Sequence, residues 1–299
     1  GQGLNSKMIG VAARELGVRL ETIRAMKTQT DKVPNTSATA ASSAADLNCA
    51  AVAAACVTLR ERLRPVAAAM LGQKLGEQPA LDTVVFEEGF AWSTLQPATR
   101  LAFAEIAERA YLTQVSLSTT GYYRTPDLAY DKAKGKGKPF HYFAYGAAVT
   151  EVEVDGLSGM KRLRRVDILH DVGESLNPRI DRGQVEGAFV QGVGWLTGEE
   201  LKWTKDGKLL THSASTYQIP SIGDAPADFR VTLLPRAAQA NVVHGSKAVG
   251  EPPLMLGISA REAIRDAIAA FGKPGGEVAL PSPATHEAIF HAVRARLAR

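Results

Sequence analysis

The chain has 299 residues, about two domains at roughly 100–200 residues each, which excludes a small scaffold stapled by disulfides. It is 45% hydrophobic and 22% charged, with 35 Lys and Arg against 31 Asp and Glu. A net charge of +4 on that composition excludes a disordered chain and a broadly basic nucleic-acid surface.

Leu4, Met8, Ile9, Ala12 and Leu16 recur at helical spacing and Gly17 stops the pattern, so a helix over 4–16 is predicted, with Gly1-Gln2-Gly3 as its tight approach. Thr39 to Arg64 reads as a long helix whose first turns are almost all Ala, Ser and Thr, with Pro65 ending it. Its most apolar stretch, Cys49 to Leu59, is about half the roughly 20 residues that span a membrane and runs into Arg60-Glu61-Arg62, so no membrane association is expected. Cys49 and Cys56 share a helix face too far apart for a disulfide, which fits a reducing, cytoplasmic setting. A strand at Thr83–Phe86 and a helix from Ala98 to Tyr111 follow.

Lys132 to Lys138 alternates lysine with small residues, as a solvated loop tip does, and a phosphate-holding role is the alternative. Val149, Val152 and Val154 alternate with charged residues, Asp155-Gly156 begins a turn, and Leu163, Val166 and Ile168 continue: a hairpin. A helix from Pro178 through Gly194, strands near Leu209–Ile219 and Phe229–Leu234, and a helix from Ser259 to Phe271 complete the predicted elements. Helices and strands neither alternate strictly nor segregate, which favours an α+β fold of two sub-domains over a doubly wound sheet. The chain starts Gly-Gln-Gly, with no initiator Met and no targeting pattern, and reads as part of something longer.

Three segments carry candidate chemistry. Glu251 stands between Gly250 and the stiff Pro252-Pro253 unit, a rigid placement in which burial raises a carboxyl toward the range of a general base. An exposed loop glutamate is the bland alternative. Gly183 to Gly194 puts Gln184, Gln191 and several glycines on one helical segment, which admits a close neighbour, either a cofactor or another helix. The start Thr39, Ala40, Ala41, Ser42, Ser43, Ala44 offers hydroxyls, minimal side chains and unpaired N–H groups, suited to an anion or to ordinary capping and packing. Six scattered histidines show no metal-ligand spacing, and neither a dinucleotide fingerprint, a P-loop nor a serine-hydrolase elbow is present.

Together Gly1-Gln-Gly-Leu4, Val33-Pro-Asn-Thr-Ser37 with Thr39-Ala-Ala-Ser42, Ser118-Thr-Thr-Gly-Tyr-Tyr-Arg-Thr-Pro126, Gly183-Gln-Val-Glu-Gly187 and Lys247-Ala-Val-Gly-Glu-Pro-Pro-Leu254 resemble the xanthine dehydrogenase family of molybdenum hydroxylases, in the C-terminal part of its molybdopterin region. The resemblance implies an α+β fold forming half of a molybdopterin-binding region, with sub-domains 1–145 and 146–299, the second carrying a catalytic Glu251. It implies that Glu251 is the base that lets a water-derived oxygen attack an electron-poor carbon. Gly1, Gln2, Thr39 to Ala44 and Gln184 would bind the cofactor, and molybdenum would be held by the pterin dithiolene rather than by the protein. A second small hydroxyl of the animal pattern is replaced here by Ala44, with Ser43 polar beside it. The implied substrates are hypoxanthine and xanthine, with aldehydes or other N-heterocycles as the alternative. 2Fe–2S clusters and FAD are expected in upstream regions or partner subunits of an oligomer, with no nucleic-acid or membrane partner. A non-catalytic cofactor-binding or assembly module is the rival of another class, and an acid held between Gly250 and Pro252 argues against it.

Overall fold

The computed structural model describes residues 2–31 and 39–298; Gly1 and the Val33–Ser37 motif lie outside the described residues. Two compact units are present: one takes the chain up to Tyr142 and regains it at Ala238–Lys247, and the other takes Phe143–Ala237 and Ala248–Arg299. A single cut near residue 145 therefore omits the return of 238–247 to the first unit.

In the first unit α1 (Leu4–Leu16) ends as its spacing predicts. Gly17 caps it at φ 66°, and a Cβ there would strike the Phe86 carbonyl, so only glycine closes this turn against the neighbouring strand. Gly17→Ala is expected to lower the unfolding free energy by about 1–3 kcal/mol, read from urea denaturation, because both the left-handed backbone and the clash must be absorbed.

The long helix α2 (Ala44–Leu75) corrects the predicted span at both ends. It starts at residue 44, because Ala41 and Ser42 are left-handed at φ 50° and 55°. It also runs through Pro65, although an internal proline costs about 3 kcal/mol. Burial of Leu63, Ala67, Ala68 and Leu71 outweighs that cost, since each leucine alone contributes about 1.5–3 kcal/mol. These side chains form a core with Val84, Ala91, Leu101, Ile106 and Ala110. That core belongs to an antiparallel sheet, β1 (Val84–Glu87), β2 (Phe90–Ser93) and β3 (Gln96–Ala102), followed by α3 (Phe103–Leu112). The helix expected from Ala98 is thus half strand: Ala91 pairs with Leu101 and Phe90 with Ala102, and the helix waits until Phe103. Lys132–Lys138 lies in the exposed hairpin β4 (Ala129–Asp131) and β5 (Lys136–Lys138).

The second unit opens on the expected hairpin, β6 (Gly146–Val154) with β7 (Lys161–His170), antiparallel with a bulge at Glu151/Val152. Then α4 (Pro178–Thr197) crosses over to β8 (Asp228–Leu233), which pairs parallel to β7. Asn177 caps α4 by accepting from Ile180 N at 3.2 Å, and Pro178 fits the first turn, where no N–H is needed. Val166, Ile168, Val185, Phe189 and Val231 form the core beneath. The strand expected at Leu209–Ile219 is absent: only Leu209 bridges, to Trp203, because no neighbouring strand completes a ladder. Helices α5 (Ile258–Ala269) and α6 (His286–Leu297) bury Ile264, Ile268, Ile289 and Val293 in a second cluster. The mixed, mainly antiparallel three-stranded sheets make the fold α+β.

Candidate cofactor cradle and candidate base

Two left-handed turns head the first two helices. Gln2 and Gly3 stand at φ 58° and 63° before α1, and Ala41 and Ser42 before α2. The Gln2 side-chain amide donates to the Ser42 carbonyl at 2.8 Å, which ties the two turns together across 40 residues. Ser43 gives both its N–H and its hydroxyl to the Ala40 carbonyl, at 3.2 and 3.0 Å, so no side chain caps α2. The two left-handed residues Ala41 and Ser42 precede the right-handed Ser43, and the 32-residue helix that follows adds its positive dipole end. Non-glycine residues in this conformation cost about 1–3 kcal/mol each and persist only where the surroundings demand it. Thr39, Ala40 and Ala41 are exposed, while Ser42 and Ala44 are buried.

Farther along α2, close packing takes over. Gly121 approaches so closely that a Cβ there would strike the Ala51 carbonyl, which explains the slim alanine face. Cys49 and Cys56 are buried on this helix and form no disulfide, and burial, then the nearby Glu15, pushes the Cys56 thiol up.

Asp46, in the first turn of α2, was not singled out from the sequence. It is 4% exposed, and its Oδ2 accepts the Tyr142 hydroxyl at 2.7 Å. Burial pushes its carboxyl up, opposed by the Tyr142 hydrogen bond and by His141. Its partner lies 96 residues away, so no local pattern marks it.

In the second unit the glycines of α4 divide by role. A Cβ at Gly192 would strike the Leu254 carbonyl and one at Gly257 would strike Gly192, so this end of the segment is packing. Gly183 and Gly187 meet open space, and Gln184 between them is half-buried. Glu251 follows Gly250, whose φ of 136° suits glycine, and precedes a 3-10 turn over Pro252–Gly257. The Leu254 N–H donates to the Glu251 carbonyl at 3.0 Å, closing that turn. Glu251 is exposed, whereas the general-base reading of the sequence takes it as buried.

The structure thus brings Gln2 and Ser42 together in the first unit and places Gln184 and Glu251 in the second. Within the first unit, the strained turns and the helix end without a side-chain cap have the chemistry to receive an anionic group.

Comparison with known proteins agrees with that chemistry. The profile of the molybdopterin cofactor-binding domain matches residues 1–226. The chain is 46% identical over 297 residues to the xanthine dehydrogenase/oxidase of Rattus norvegicus and 44% identical over 295 residues to that of Gallus gallus. Each alignment covers 98% of this chain and 20% of the relative, so the chain spans about a fifth of their length. The crystal structure of quinoline 2-oxidoreductase from Pseudomonas putida 86 superposes with a TM-score of 0.81 at 26% identity, covering 99% of this chain and 36% of that one. With the profile matched through both left-handed turns and Gln184, the chain belongs to the molybdopterin cofactor-binding domain family.

Proposed function

We propose that this chain is the cofactor-binding and proton-accepting part of a purine-hydroxylating enzyme. The observation that carries the reading is the identity of 42–46% to xanthine dehydrogenases across nearly the whole chain. The molybdenum held by the pterin dithiolene, when bound, supplies the two-electron oxidising centre.

The residues of this chain have three tasks. Thr39 to Ala44 would meet the anionic edge of the cofactor through the N–H groups that this turn does not itself use, with Gly1 as a further cofactor contact. Gln2 braces that turn through Ser42, and Gln184 donates to the cofactor from the bare stretch of α4. Glu251, fixed between Gly250 and Pro252, accepts the proton of a water-derived oxygen as that oxygen bonds to an electron-poor ring carbon. 2Fe–2S clusters and FAD, in other regions or subunits of an oligomer, would supply the acceptors for the two electrons. One such cluster takes four thiolates, and this chain has two cysteines. A cytoplasmic setting accords with cysteines that form no disulfide, and no described helix is long and apolar enough to cross a membrane.

The test is molybdenum and pterin content of the full-length enzyme, followed by turnover of hypoxanthine and xanthine against aldehydes and quinoline. Fastest turnover of the purines is expected. Faster turnover of aldehydes or quinoline replaces the purine reading by the alternative, for which the likeness to a quinoline oxidoreductase speaks.

A further inference from the structure

Asp46 is an unexpected side chain beside an anion cradle. An ionised carboxylate in the first turn interacts well with the helix dipole, but it sets negative charge within a turn of the N–H groups that would receive an anion. Among the described residues no ion pair neutralises that charge. The direct hydrogen bond comes from the neutral Tyr142 hydroxyl, on Oδ2. Oδ1 is buried and has no hydrogen-bond partner among the described residues, which suits the oxygen of a protonated acid better than that of a carboxylate.

The ionisable groups around it come from each neighbouring element. His141 and Tyr142 lie on the segment after β5, the two rings edge to face at 5.9 Å, and both His141 nitrogens are buried with no hydrogen-bond partner among the described residues. Tyr123 feels the charge of Asp46 and gives its hydroxyl to the Asn241 carbonyl at 3.2 Å. Lys247, on the returning segment, holds its ammonium 5.9 Å from the centre of the Tyr142 ring. Lys7 is the buried cation of α1, the helix packed along α2. Of these, the Tyr142 hydroxyl and His141 favour ionisation of Asp46, and its burial opposes it more strongly.

We propose that Asp46 is a proton-linked positioning residue: when the cradle at the head of α2 holds an anionic cofactor, Asp46 is the neutral acid, so that wherever the empty cradle has Asp46 ionised, binding takes up one proton from solvent. The proton sits on Oδ1, leaving Oδ2 to accept from Tyr142. This inference rests on the reading of residues 39–44 as the cofactor cradle and adds to it a control of retention by pH. The sign follows from linkage: what favours the neutral acid favours retention, so cofactor is held best at low pH and released as pH rises through the titration of Asp46, by up to about tenfold per pH unit.

The experiment uses the full-length enzyme, dialysed at low ionic strength from pH 5.5 to 8.5, with retained molybdenum and pterin measured at each pH. Wild type is expected to lose about tenfold or more in retention across the range, and Asp46→Asn, which keeps the shape and the acceptor for Tyr142, to give a flat profile at or above the wild-type level. His141→Gln is expected to keep the pH dependence. A flat wild-type profile, an unchanged slope in Asp46→Asn, or loss of the slope in His141→Gln overturns the proposal. Should Asp46→Asn fail to fold, Tyr142→Phe removes a hydroxyl that supports the ionised form and is expected to move the release to higher pH; an unmoved profile overturns it. Gln2→Ala in the same assay separates the two layers. If that variant loses cofactor while Asp46→Asn matches wild type, only the proton linkage fails, and if it keeps full cofactor at every pH the cradle reading fails and the proposal with it.

Discussion

Replacing Glu251 by glutamine is expected to cut turnover of the full-length enzyme by about 10²–10⁴-fold, the usual contribution of a general base, while molybdenum content, pterin content and melting temperature stay at wild-type values. The substitution keeps size and shape at a residue that is exposed in this chain, and it leaves untouched the backbone carbonyl that accepts the Leu254 N–H. Loss of folding is therefore not the expected route to inactivity. Turnover within about threefold of wild type in steady-state assays removes Glu251 from the mechanism and leaves it as the residue that opens the 3-10 turn at Pro252.

Gln2→Ala and Gln184→Ala are expected to act on the cofactor rather than on the rate per bound cofactor. A hydrogen bond to a charged group is worth about 1.5–3 kcal/mol, so each loss should weaken retention by about 10–150-fold. The two variants should differ in one respect. Gln2 also bonds the Ser42 carbonyl, so its removal is expected to relax the left-handed pair Ala41–Ser42 and to lower the melting temperature slightly. Gln184 stands beside glycines that face open space, and its removal should leave stability unchanged. Metal analysis against calorimetry decides the matter: full molybdenum with a much earlier melt in both variants assigns Gln2 and Gln184 to packing.

Local periodicity and chain punctuation determine much of this fold without help from the structure. The helix over 4–16 with its Gly17 cap, the hairpin around 155–160, the helix from Pro178 and the strand near 229–234 all emerge at or close to their expected bounds. Each depends on contacts between residues near in sequence, which apolar spacing and turn residues encode directly. The family was equally legible, since five short motifs in one order carried the resemblance that the profile match bears out.

Tertiary structure decided the rest. Pro65 remains inside α2 because the residues around it bury into a sheet formed 20 to 40 positions later. The segment from Gln96 is strand rather than helix because β2 offers it an edge, and Leu209–Ile219 is irregular because no strand does. Glycines identical in the sequence separate into packing residues at 192 and 257 and bare ones at 183 and 187 only when their neighbours arrive. The Gln2–Ser42 and Asp46–Tyr142 bonds join positions 40 and 96 residues apart, and single-sequence spacing holds no record of such pairs.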